Sequence, residues 1–236
     1  MKKRNIISLA ISAVLLTAII LTLFLHVFPV IKNRKDENEF ADMMKQYYIN
    51  KNAGFVTENA TLGEVDVAFI GDSLTDGYDL AQYYPDMAVI NRGIGGDTTH
   101  GVYDRLETSL IVPNPKVIVM MIGTNNIYDM FTDYEQILIT LQEKLPDTKV
   151  VLMSIPPVGA TYADRNVQIA FNNVKIKALS EKYGYTYIDI FTKLLNMETN
   201  LLRSEYSTDD LHFTPLGYSV ITAEVMPVLE ALLSEN

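Results

Sequence analysis

The sequence predicts an α/β fold, a flavodoxin-like doubly wound five-stranded parallel sheet preceded by one N-terminal transmembrane helix, and three observations carry the prediction. Short, nearly unbroken apolar runs recur between residues 65 and 191, the pattern of strands buried on both faces of a sheet. Stretches of helical period alternate with them, which places helices on both faces. The first three runs each stop in small or polar residues: Gly71-Asp72-Ser73-Leu74, Gly93-Ile94-Gly95-Gly96-Asp97-Thr98 and Gly123-Thr124-Asn125-Asn126. In a parallel sheet all strand C-termini share one edge, and open α/β sheets put their sites there.

Residues 1–31 do not resemble the rest. Lys2, Lys3 and Arg4 precede a stretch from Asn5 to Ile31 without Asp, Glu, Lys or Arg, and Ile6 to Leu25 is apolar enough for a helix across a bilayer. Such a helix rises about 1.5 Å per residue against a hydrocarbon core of about 30 Å. No small-residue cleavage site follows it and no Cys is present to carry a lipid, so residues 1–31 read as a cytoplasmic tail and uncleaved signal-anchor helix. Lys32, Arg34 and Lys35 balance the basic N-tail, which leaves charge a weak guide to orientation. The short tail is expected in the cytoplasm and the catalytic domain outside it, as a single-pass protein of the cell membrane.

Residues 32–64 read as a juxtamembrane linker with an amphipathic helix, because Phe40, Met43, Met44, Tyr47 and Tyr48 fall on one helical face. That face is expected on the domain's own flank, with a bilayer or a second subunit as the alternative. The domain proper spans 65–236. Its strands are expected at Val65–Ile70, Ala88–Ile94, Lys116–Ile122, Lys149–Ile155 and Thr186–Phe191, and its helices at Thr98–Ser109, Thr132–Leu145, Ala163–Tyr183 and Pro215–Leu233. In the third helix Val167, Ala170, Phe171, Val174 and Ala178 draw the expected core stripe. Thr214 and Pro215 form an N-cap and first-turn pair, and Pro227 is expected to kink or end the last helix.

Charge narrows the partners. The chain has 19 basic and 29 acidic residues, and residues 1–40 take 6 and 3 of them, leaving 13 against 26, a net of −13 for the remainder. Such a domain repels phosphate backbones and anionic lipid surfaces, so nucleic acid is excluded as a partner and a neutral or cationic substrate is expected over a polyanion. With three His and no Cys there is little from which to build a metal site, and no cofactor is expected.

A hydroxyl at Ser73, an uncovered backbone N–H at Gly96 and a carboxamide at Asn125, gathered on one edge, make half of an acyl-transfer site. The other half is a base. His212 follows Asp209 by three residues, so the carboxylate can reach Nδ1 and leave Nε2 to accept a serine proton. His100, three residues after Asp97, is the rival pair. Tyr78 and Tyr128 follow the serine and the asparagine, as aromatics suited to a substrate face.

Taken together these residues resemble the SGNH, or GDSL, family of hydrolases, and within it the platelet-activating-factor acetylhydrolase type. Gly71-Asp72-Ser73-Leu74 resembles the first block of that family, Asn91 to Asp97 the second, Gly123-Thr124-Asn125-Asn126 the third and Asp209-x-x-His212 the last. The resemblance implies Ser73 as nucleophile, Asp209 and His212 completing a triad, and an oxyanion hole from Ser73, Gly96 and Asn125. Asn126 stands where many members have Asp, and Asp210 where Gly is common. The implied activity is hydrolysis of short acyl, above all acetyl, esters on a carbohydrate or lipid through an acyl-enzyme. The same site could pass the acyl group to an envelope carbohydrate, or act on a lysophospholipid. A non-catalytic phosphate- or nucleotide-binding module is the distant alternative, since Gly93-x-Gly95-Gly96 lacks the last glycine of a dinucleotide fingerprint. Oligomeric state is not legible.

Overall fold

The computed structural model describes residues 25, 26 and 28–234. The expected N-terminal transmembrane helix lies almost wholly outside the described residues. The chain divides into two units, the second running from Tyr48 to Asn236.

Helix α1 (Phe28–Asn59) ends inside this second unit. There the Tyr48 hydroxyl donates to the Gly101 carbonyl at 3.0 Å, and Phe55 is buried with the Arg92 guanidinium 4.7 Å from its ring centroid. Glu58 pairs with Arg92, whose side chain is fully buried. Part of the segment read as a linker therefore packs with the domain, because Arg92 needs a counter-charge where β2 is covered.

Five strands form the sheet: β1 (Val67–Gly71), β2 (Val89–Gly93), β3 (Val117–Met121), β4 (Lys149–Met153) and β5 (Thr186–Ile188). All pair in parallel in the order β2-β1-β3-β4-β5, the expected doubly wound arrangement. β2 to β5 fall within their predicted runs, trimmed where the loops begin, and β1 runs one residue past its own, to Gly71. Along β1, Val67 and Phe69 join one core cluster and Ala68 and Ile70 the other, which is why the run has no polar alternation. The face of Val67 and Phe69 is covered by α8 (Pro215–Ser234), through Ile221, Val225 and Leu229. The opposite face is covered by α5 (Phe131–Lys144) and α6 (Asn166–Tyr183).

Shorter helices α2 (Ser73–Asp76), α3 (Leu80–Tyr83), α4 (Thr99–Asp104) and α7 (Phe191–Leu194), with a two-strand ribbon β6 (Leu195–Asn196) and β7 (Leu201–Leu202), complete the unit. The helix expected over Thr98–Ser109 is broken: α4 stops at Asp104 and a π-helical turn spans Glu107–Ile111. Between them Arg105 turns inward, fully buried.

Two expectations about helices are corrected. Of the kink or end expected at Pro227, the end does not occur, and α8 continues to Ser234. Among the described residues α8 is also the one helix long and apolar enough to span a bilayer, yet one face lies in the core and the Tyr218 hydroxyl donates to the Leu74 carbonyl at 3.0 Å. The second correction is the α6 stripe. Val167, Phe171 and Val174 are exposed, and Ala170 and Ala178 with them. The buried face carries Asn166, Ile169, Asn172, Asn173 and Ile176. The reason is what α6 rests on: as well as strand side chains, it meets loop backbone with N–H and C=O groups to satisfy. Asn173 accepts from Ile155 N–H at 2.8 Å and donates to the Ile155 carbonyl at 2.9 Å. Asn166 does the same for Val158 at 2.8 and 2.9 Å, and Asn172 donates to the Ile127 carbonyl at 2.6 Å.

Candidate active site

The site assembles on the edge where β1, β2 and β3 end. Gly71 is in register with Gly93 and with Met121, so the loops carrying Ser73, Gly96 and Asn125 emerge side by side. Asp72 caps α2 by accepting the Leu74 N–H at 3.0 Å, which puts Ser73 in the first turn. Close approach of β2 to that turn requires Gly93, since a Cβ there would collide with the Asp76 backbone. Gly96 has φ +77°, a left-handed conformation open to glycine at little cost.

His212 reaches this edge from the loop before α8. Its Nε2 lies 3.0 Å from Ser73 Oγ and its Nδ1 2.7 Å from Asp209 Oδ2. The second carboxylate oxygen of Asp209 accepts the His212 and Leu211 N–H groups at 2.7 and 3.0 Å and the Ser207 hydroxyl at 3.2 Å. Desolvation opposes ionisation of Asp209, but the His212 ring and these amides outweigh it and hold the carboxyl well below its usual range. The network leaves Nδ1 as donor to Asp209 and Nε2 as acceptor for the serine proton.

The rival pair does not form. His100 is exposed and faces Asp104 at 3.6 Å and Asp133 at 3.5 Å. Asp97 is buried and held by Arg105, whose Nε donates to Oδ2 at 2.8 Å. Arg105 also donates to the carbonyls of Arg92 at 2.8 Å and Gly71 at 3.0 Å, so one guanidinium ties the Gly96 loop to the end of β1. Asn125 joins the same loop by donating to the Asp97 carbonyl at 2.8 Å. A carboxamide has two N–H donors, so one remains for a substrate oxygen. Asn126 is the structural partner, donating to Thr99 Oγ1 at 2.9 Å.

Of the two tyrosines expected at a substrate face, Tyr78 is buried. Its hydroxyl meets Tyr84 at 3.0 Å and Thr222 at 2.5 Å, and its ring stacks on Tyr218 at 4.7 Å. It is a core residue, because α2 turns the chain back over the sheet immediately after Ser73. Tyr128 is 75% exposed and lines a cleft of about 340 Å³ with Thr124, Asn125, Asn126, Ile127, Asp129 and Arg165.

Asp210, which stands where glycine is common in the resembled family, has φ +67°. Its carboxylate accepts the Thr161 hydroxyl at 2.6 Å and N–H at 3.0 Å, and its carbonyl accepts the Gly159 N–H at 2.8 Å. The Thr161 hydroxyl and amide hold that carboxyl below its usual range. The loop after β4 thereby fastens the loop bearing Asp209 and His212. Sequence reading missed Thr161, Arg105 and the three inward asparagines of α6. An Asn172-Asn173 pair in the middle of a long helix was the available signal, since asparagine is a weak helix former.

A parallel five-stranded sheet here carries serine, imidazole and carboxylate hydrogen-bonded in sequence at its C-terminal edge, an arrangement suited to acyl transfer. The chain belongs to the GDSL-like Lipase/Acylhydrolase family, whose model matches residues 69–220. It is 27% identical over 188 residues to platelet-activating factor acetylhydrolase IB subunit alpha2 of Homo sapiens, a match covering 73% of this chain and 80% of that protein. Among solved structures it is similar to a GDSL-like lipase from Bacteroides thetaiotaomicron VPI-5482, with 22% identity, a TM-score of 0.70 and coverage of 76% of this chain and 97% of the other. An acetyl xylan esterase from Geobacillus stearothermophilus shares the fold at 20% identity and a TM-score of 0.58, over 71% of this chain and 96% of that one.

Proposed function

We propose that the chain is a membrane-anchored serine esterase that removes short acyl groups, acetyl above all, through an acyl-enzyme. The observation that carries this reading is the continuous contact from Ser73 Oγ to His212 Nε2 at 3.0 Å and from His212 Nδ1 to Asp209 at 2.7 Å. In the reaction His212 takes the Ser73 proton as Oγ bonds to the ester carbonyl carbon, and Asp209 stabilises the imidazolium. The carbonyl oxygen becomes an oxyanion facing the N–H groups of Ser73 and Gly96 and the free N–H of Asn125. Collapse breaks the bond to the alcohol oxygen, which takes the proton from His212. Water, deprotonated by the same imidazole, then releases the acid and restores Ser73.

The names of the relatives, an acetylhydrolase and an acetyl xylan esterase, support a small acyl group on a lipid or carbohydrate. The apolar segment Ile6–Leu25 with its basic flanks supports the anchor. Labelling with a fluorophosphonate probe tests the nucleophile: the wild type should label and Ser73→Ala should not. Labelling that persists in Ser73→Ala sinks the assignment. Aryl acetates tested with and without a sugar acceptor separate hydrolysis from acyl transfer, and retention in the membrane after alkaline carbonate extraction tests the anchor.

A further inference from the structure

Arg165 ends the 3-10 turn Ala160–Arg165 that follows β4 and lines the cleft that also holds Asn125 and Tyr128. It differs from the other arginines of the domain. Arg92 donates to Glu58 and Asn59, Arg105 to Asp97 and Arg203 to the Leu195 carbonyl. Among the described residues Arg165 has no hydrogen-bond acceptor and no ion pair; its guanidinium lies over the Tyr162 ring, 4.8 Å from the centroid. This cation–π contact holds the guanidinium near the cleft while its N–H donors stay free of acceptors, and a guanidinium suits a carboxylate or phosphate. A cation left unneutralised beside the site is conspicuous where 26 acidic residues face 13 basic ones. Asp129 lines the same cleft without an ion pair to Arg165, so its charge offsets part of the guanidinium's attraction for an anion and leaves the N–H donors unoccupied.

We propose that this cleft is a subsite for an anionic group on the ester being cleaved, bound by Arg165 with the Tyr128 ring as its wall. The substrate class is then an ester bearing a carboxylate or phosphate. Arg165 sets specificity and takes no part in the bond-breaking steps. The proposal rests on the ester-hydrolase reading above and names the substrate chemistry of the same site.

The test compares full-length protein and variants on a neutral aryl acetate and on an aryl acetate with a sulfonate on the leaving group. Arg165→Gln should raise KM for the sulfonated ester about tenfold, the size of one lost charge-assisted contact, while kcat and both constants for the neutral ester stay within about twofold. Arg165→Lys should keep part of the preference, and Asp129→Asn should lower KM for the sulfonated ester only. An acetylated uronic-acid oligosaccharide and an acetylated phosphoglyceride then distinguish a carboxylated sugar from a lipid phosphate as the source. If Arg165→Gln changes neutral and anionic esters alike, or none of the three anionic esters responds, the anionic subsite is overturned and the esterase reading stands. If the wild type hydrolyses none of the esters, the mechanism itself fails first, and the subsite with it.

Discussion

At the scale of single residues, the relay from Ser73 through His212 to Asp209 was legible because each piece has a local signature. A serine at the end of a buried strand is such a signature, and so is a carboxylate three residues before a histidine. Asn125 can be tested apart from the fold. One of its N–H groups donates to the Asp97 carbonyl, so Asn125→Ala removes a donor without unpacking a core. Loss of one oxyanion donor costs about 10²–10³ in kcat, and that fall is expected with KM nearly unchanged and with stability lower only by about 0.5–1.5 kcal/mol for the lost bond to the Asp97 carbonyl; full activity would remove Asn125 from the hole. Asp210 gives a second test. At φ +67° alanine is strained where glycine is not, by about 1 kcal/mol or more, and both variants lose the Thr161 contacts. Asp210→Ala should therefore unfold at a lower temperature than Asp210→Gly, and equal midpoints would show that the backbone conformation is not the constraint. Thr161 and Arg105 were invisible in the sequence because their partners, Asp210 and Gly71, lie 49 and 34 positions away, and no periodicity reports such a pairing.

At the scale of elements, periodicity found the strands and misjudged a face. The apolar residues of α6 satisfy the helical spacing, yet its inward face is the one with asparagines, because the loops after β3 and β4 present backbone groups there. Burial of a polar group without a partner costs about 1–3 kcal/mol, more than an exposed valine or phenylalanine gains from a partial contact. The prediction is an inversion of the usual ranking. Asn173→Ala, which strands the N–H and C=O of Ile155, should lower stability by about 1–3 kcal/mol. Phe171→Ser, at a residue 66% exposed, should change it by no more than about 0.5 kcal/mol. Denaturant midpoints of the two variants decide the matter, and a larger loss from Phe171→Ser would mean that the stripe is covered in the native assembly. The same reasoning explains α1: its Phe55 is buried, and its Glu58 and Asn59 reach the buried Arg92, a pairing between segments 34 and 33 positions apart.

At the scale of the whole molecule, a sheet covered on both faces also buries the turn just beyond β1. Asp72 is 1% exposed, and its Oδ2 has no hydrogen-bond partner. Burial pushes its carboxyl up to about 7, opposed by the Leu74 N–H, aided by the nearby charge of Asp97, and opposed again by His212 and by the Thr124 side chain beside it. The sign comes from proton uptake. Between the ordinary value of 3.8 and about 7 the folded chain holds a proton on Asp72 that the unfolded chain has lost, so this group makes stability fall as pH rises through that window and level off above it. The displacement corresponds to on the order of 4 kcal/mol forgone above pH 7. Asp209 acts oppositely: its lowered value gives stability that is present above the unfolded carboxyl range and lost as pH falls through and below it, so its effect lies at the acid end of the scale. Asp72→Asn keeps the oxygen that caps Leu74 and removes the titration. Its unfolding free energy relative to wild type should therefore rise from pH 5 to pH 8, as measured by denaturant unfolding across that range. A constant difference between the two would mean that water or a cation reaches Asp72 in solution, and that the end of β1 is less sealed than its burial implies.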